Sequence, residues 1–171
     1  YDGTRRYYLL GRDRLIADAG AVSPRSTLPV LSNILIASDE GRLRLSATNL
    51  ELGITCWIAA RIDEEGSTTV PARTFADLVN ALPGDQVQLS LDVKTQSLHV
   101  KGGTSNNDIK CIDAQEFPPL PTPEMDGAVP LNVVDFKEMI QQVAFAASTD
   151  EARPVLMGVL MNVDKDNVTM V

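Results

Sequence analysis

The sequence predicts an α+β fold made of duplicated βαβββ units, with helices packed on antiparallel sheets. Three observations predict it. Apolar residues alternate with period two over many short stretches, helical spacing is confined to short segments between them, and one part of the chain echoes another. Pro29, Val30 and Leu31 return as Pro154, Val155 and Leu156, and Ile34-Leu35-Ile36 as Val159-Leu160-Met161. Asp39 returns as Asp164, and Leu43 and Leu45 as Val168 and Met170. Every mate lies 125 positions on, without a gap. A period that long is one whole domain rather than a solenoid repeat. The chain therefore holds one complete unit and the opening of a second. Val171 is the counterpart of Ser46, in mid-strand, so the sequence reads as a piece of a longer protein.

The elements follow in order. Tyr7–Leu10 predicts an opening strand. Leu15, Ile16, Ala19 and Val22 follow Asp13 at helical spacing and predict a first helix, although Gly20 is unfavourable there. Strands come next at Ile34–Ile36 and Leu43-Leu45-Ala47, joined by the turn Asp39-Glu40-Gly41. Leu52, Ile54, Cys56, Ile58, Ala60 and Ile62 then alternate with a wetter face of Gly53, Thr55, Trp57, Ala59 and Arg61. A strand at Thr68–Pro71 leads into a second helix. Phe75, Leu78, Val79 and Leu82 fall at i, i+3, i+4 and i+7, with Thr74 as N-cap and Asp77 three residues on. After the turn Pro83-Gly84-Asp85, three strands are predicted: Val87-Leu89-Leu91-Val93, Leu98-Val100 and Ile109-Cys111.

Phe117–Pro123 carries four prolines, which cannot join a sheet ladder, and reads as an interdomain linker. The pattern then restarts with a strand at Val129–Leu131. Its helix carries Phe136, Met139, Ile140 and Val143, after Asp135 as N-cap with Glu138 completing a capping box, and two strands follow. This places a first domain at residues 1–120, a linker at 121–127 and a partial second domain at 128–171. The two helices of the complete domain are expected side by side on one surface, with the sheets behind them.

Composition narrows the function. At 171 residues, 44% hydrophobic and 22% charged, the chain is large enough for one good core. No apolar run approaches ~20 residues, so no membrane partner is expected. Cys56 and Cys111 sit inside strand patterns without metal-like spacing and read as reduced core residues of an intracellular protein. A net charge of −8 argues against a broad basic face for nucleic acid, so any DNA contact has to be local and sparse. No cofactor and no metal is implied, and the search for catalytic residues is empty. His99 alternates with Leu98 and Val100 on a wet strand face, and no second His or Cys stands near it in sequence. Asp63-Glu64-Glu65 before Gly66 reads as a solvated turn. Gly102-Gly103 lacks the length and the following helix of a phosphate loop.

Four segments together resemble a known family. They are the run from Arg25 to Leu35 (Arg25-Ser26-Thr27-Leu28-Pro29-Val30-Leu31-Ser32-Asn33-Ile34-Leu35), Leu45-Ser46-Ala47-Thr48-Asn49-Leu50-Glu51, Thr69-Val70-Pro71-Ala72-Arg73-Thr74-Phe75 and Glu116-Phe117-Pro118. In order and spacing they look like first-domain motifs of the bacterial DNA polymerase III β subunit, the sliding clamp. Arg153-Pro154-Val155-Leu156-Met157-Gly158-Val159-Leu160 is similar to the start of that family's second domain. The resemblance implies the DNA-clamp fold and a full-length subunit of three such domains. Two subunits close head-to-tail into a homodimer ring around double-stranded DNA, cytoplasmic and nucleoid-associated, with no chemistry of its own. Replicative DNA polymerase, clamp loader and repair proteins bind the ring through short peptide motifs.

The resemblance also assigns residues. It makes Arg25 and Arg153 DNA contacts, and places Leu156 in the apolar groove that takes partner peptides. It puts Asn107 and Ile109 at the subunit seam, on the edge strand Thr104–Ile112. From the residues alone, Arg25 is equally a solvated loop arginine, Leu156 a core residue like its mate Leu31, and the edge strand an ordinary one guarded by Lys101 and Lys110. Two rival functions stand beside the clamp. One is an α+β hydrolase or transferase whose catalytic residues lie past Val171; the other is a clamp-like module that never closes on DNA.

Overall fold

Each alternating stretch becomes a strand that buries one face and pairs with its neighbour in sequence. The computed structural model describes residues 4–10, 28–83, 86–121, 124, 126–164 and 167–171. The expected first helix, Arg25, and the Gly84-Asp85 half of the expected turn lie outside the described residues. The chain divides into two compact units, residues 1–121 and 122–171.

In the first unit the strands are β1 (Thr4–Leu10), β2 (Asn33–Asp39), β3 (Arg42–Thr48), β4 (Gly53–Ile62) and β5 (Ser67–Pro71). Helix α1 (Ala72–Ala81) and strands β6 (Gln86–Asp92), β7 (Ser97–Gly102) and β8 (Ser105–Lys110) follow. All pair antiparallel in one sheet, ordered β5-β2-β3-β4-β1-β6-β7-β8. Separate sheets were expected from the two half-repeats. Instead β1 pairs with β4 on one side and β6 on the other, satisfying both inner edges and fusing the halves. The outer ends also meet: Thr69 and Ile112 exchange backbone hydrogen bonds of 3.1 and 3.2 Å. Asn33 Nδ2 donates to Thr69 Oγ1, and Thr69 Oγ1 donates to the Ile112 carbonyl, each at 2.9 Å.

The inward faces make one core. Ile34, Ile36, Leu43, Leu45 and Ile58 from the first half join Val87, Leu89, Leu91, Leu98 and Val100 from the second, with Phe75 and Val79 of α1 among them. Thr74 is not the N-cap of α1. The helix starts at Ala72 behind Pro71, with no side-chain cap, because Ala72 is itself buried and draws the first turn forward. The turn after β2 matches its residues: Glu40 and Gly41 both take positive φ, 48° and 74°, as a tight two-residue hairpin requires.

In the second unit, helix α2 (Val133–Val143) precedes the hairpin of β9 (Met161–Val163) and β10 (Val168–Met170). Asn132 caps α2, not Asp135. Its Oδ1 accepts from the Val134 and Asp135 amides at 2.8 and 3.5 Å, while Asp135 falls in the first turn, where a carboxylate suits the helix dipole. Asn132→Ala is expected to destabilise α2 by about 1 kcal/mol, read as faster amide exchange in its first turn. The expected strand Val129–Leu131 does not form. A strand exists through its ladder, and no described strand pairs with this segment, which is exposed.

The echo in sequence is an echo in register. Shifting the β2–β3 pairs Ser38↔Leu43 and Ile36↔Leu45 by 125 positions yields the β9–β10 pairs Val163↔Val168 and Met161↔Met170. Leu35↔Ser46 maps onto Leu160 and Val171, which exchange hydrogen bonds of 2.8 and 3.0 Å. The 3₁₀ turn Pro29–Ser32 maps onto Pro154–Met157. Leu31 N donates to Leu28 O at 3.1 Å, and Leu156 N donates to Arg153 O at 3.0 Å.

Candidate functional site

The two proline turns share a backbone but not a burial. In the first unit Val30 and Leu31 are 7% and 2% exposed; their mates Val155 and Leu156 are 86% and 50% exposed. In the second unit the turn opens on a concavity of about 450 Å³, where Leu156 stands with Val143, Ala147, Val159, Leu160 and Val171. Leu156 is half exposed in this chain, whereas Leu31 is buried. The companions Val143, Ala147, Leu160 and Val171 were not singled out from sequence, although a signal existed. Val143 ends the apolar stripe of α2, and Leu160 and Val171 are the echoes of Leu35 and Ser46.

Arg153 is exposed at the start of the same turn, with no ion-pair partner within 4 Å among the described residues. The loop before it is held by its own side chains. Ser148 Oγ accepts from Asp150 N, and Asp150 Oδ1 accepts from Ala152 N, both at 3.0 Å. Asp150 therefore shapes the loop that carries Arg153 as well as adding charge beside it. Arg73 and Lys137 are exposed near the starts of α1 and α2.

Strand β8 is the last strand of the sheet and pairs only with β7 along its length. Asn107 and Ile109 lie opposite Val100 and Leu98, on the inward face. Ile109 is 6% exposed and belongs to the unit's own core, so its backbone is what it offers to an edge-on partner. Asn107 Nδ2 is buried without a hydrogen-bond partner among the described residues. The outward face carries Asn106, Asp108 and Lys110. Asp108 contacts His99 Nδ1, and Lys110 Nζ donates to Thr95 O and Ser97 Oγ at 3.1 and 2.9 Å. His99 sits on the exposed strand face.

Cys56 and Cys111 are thiols at the margin of the core, half-buried rather than inside it. Burial raises the Cys111 thiol above its ordinary range, against a smaller opposing effect of the Thr68 hydroxyl. Asp92 closes the β6–β7 turn, and its carboxyl is held below its usual range, first by the Thr95 hydroxyl and then by the Thr95 amide. Among the described residues no three His, Cys, Asp or Glu side chains gather where they could hold a metal ion. No described helix is long and apolar enough to cross a membrane.

The chain as a whole matches a known family. The sequence profile of the DNA polymerase III beta subunit N-terminal domain matches residues 9–121, and that of its central domain matches residues 130–171. This chain belongs to the DNA polymerase III beta subunit family. A relative named Beta sliding clamp, from Staphylococcus epidermidis, is 37% identical over 147 residues, which are 81% of this chain and 39% of that protein. The crystal structure of the Bacillus subtilis DNA polymerase sliding clamp superposes with a TM-score of 0.89 at 26% identity, covering 97% of this chain and 46% of that one. A Caulobacter crescentus beta sliding clamp gives 0.83 at 29% identity, covering 99% and 47%. The chain thus spans about two-fifths of the length of the curated relatives it matches. The sliding-clamp fold has its N-terminal domain in the first unit here and part of its central domain in the second. Membership in this family sets aside the hydrolase or transferase alternative.

Proposed function

We propose that the full-length protein is a DNA sliding clamp: a non-catalytic homodimer ring that encircles duplex DNA and tethers the replicative polymerase. The observation that carries this reading is the internal duplication, reproduced to the hydrogen-bond register, in a chain of the beta subunit family. Copies of one unit repeated head-to-tail make a ring where the rotation between them closes, and a closed ring holds DNA without gripping it. Tight phosphate neutralisation would brake sliding, because each phosphate contact adds to affinity and to its salt dependence. A net charge of −8 suits that task. On this reading the first domain spans residues 1–120, the linker 121–127, and the partial second domain 128–171. The protein works in the cytoplasm on the nucleoid.

Arg25 and Arg153 then reach the DNA backbone, and the edge of β8 at Asn107 and Ile109 pairs with the other subunit. Leu156 belongs to the groove for short motifs of polymerase, clamp loader and repair proteins; the concavity that it lines with Val143, Leu160 and Val171 supports this role. The decisive test is topological. Full-length protein loaded on circular duplex should stay bound in high salt and leave when the circle is cut. Equal loss from cut and uncut circles would favour a module that never closes on DNA. Arg25→Ala should lower retention modestly and reduce the salt slope by about one phosphate contact. An unchanged slope would remove Arg25 from the interface.

A further inference from the structure

We propose that residues 113–120 form a strap, seated on Gly53, that fixes the point at which the chain leaves the first unit. Its seat and anchors lie wholly in that unit, so it stands independently of the clamp reading. The strap is pinned in three places. At its start, Ile112 is bound to Thr69 by the backbone pair that closes the sheet and by the Thr69 hydroxyl. In its middle, Asp113 Oδ1 accepts from Gln115 N at 2.9 Å and caps a 3₁₀ turn, Ala114–Glu116, after which Phe117 is 7% exposed. At its end, Leu120 rests on bare backbone: a Cβ at Gly53 would stand 3.1 Å from Leu120 Cδ2.

Gly53 does not have a positive φ, so the backbone there does not call for glycine. What the missing side chain provides is the seat for Leu120. The seat is rigid. Thr48 Oγ1 accepts from Leu50 N at 3.0 Å and donates to Leu52 O at 2.9 Å. Asn49 Oδ1 accepts from the Glu51 and Leu52 amides at 3.0 and 2.7 Å. Together these bonds hold Leu50 at φ 77°, a conformation leucine rarely adopts, in the turn that leads into β4. Pro118 and Pro119 have no N–H to offer a sheet edge and stiffen the path between the anchors. The first unit therefore holds the chain as far as Leu120.

The test uses the 171-residue chain. Leu120→Ser removes the anchor, and Gly53→Val fills the seat from the other side. Each should raise amide exchange at Glu116 and Phe117 by roughly tenfold, with Leu45 and Ile58 unchanged, as expected for a locally opening segment. Unchanged exchange at Phe117 would overturn the strap. Loss of protection at Leu45 in step with Phe117 in both variants would overturn it too, since the segment would then open only with the whole sheet.

Discussion

Phe75→Ala is expected to cost the first unit about 3–5 kcal/mol, the range for truncating a fully buried aromatic residue. Phe75 is 0% exposed and sits in the cluster that joins both halves of the sheet. Ile34 and Leu43 on one side and Leu89 and Leu98 on the other share that cluster. A domain of this size is stable by only about 5–15 kcal/mol, so the loss is a large share of the total. Urea unfolding followed by circular dichroism should show a much lower midpoint at an unchanged slope. A cost below about 1 kcal/mol would mean that the neighbours collapse into the vacated space, against the close packing typical of cores.

In the full-length protein, Leu156→Ala is expected to weaken a partner motif peptide roughly tenfold to a hundredfold. A buried leucine could not be tested so cleanly, because its truncation also leaves a cavity costing ~2–5 kcal/mol. Leu156 is 50% exposed in this chain, so the same change should leave melting of the 171-residue chain nearly unaltered. Titration calorimetry and melting together decide the matter. Lower affinity with little change in melting supports the groove. Unchanged affinity with a lower melting temperature returns Leu156 to the core, where Leu31 already lies.

Strands were legible wherever one face is wet and the other dry. Strand β4 was readable from Leu52 to Ile62 because period-two alternation is a direct consequence of sheet geometry. The helix faces were legible too, since Phe75, Leu78, Val79 and Leu82 have helical spacing. Their starts were not. Thr74 and Asp135 are good caps by composition, but Ala72 is drawn into the core and Asn132 reaches the free amides first. Val129–Leu131 has strand-forming residues and no partner among the described strands, and β-propensity is mostly a preference for a partnered, half-buried place.

The candidate site divides in the same way. Arg153 and Leu156 were singled out by resemblance, and the structure adds the concavity beside Leu156 and its lining. Ile109 was singled out as an edge residue, yet its side chain points inward, because strand position says where the backbone lies and pairing parity decides the face.

By itself the sequence determined the unit, its duplication and the alternation that makes a sheet, because these are periodicities and a period is local information. Only the tertiary structure decided that β1 fuses two half-sheets into one and that Thr69 meets Ile112. It also decided that Gly53 makes room for Leu120. Each of these depends on which distant segment arrives at a given surface, and no local pattern carries that information.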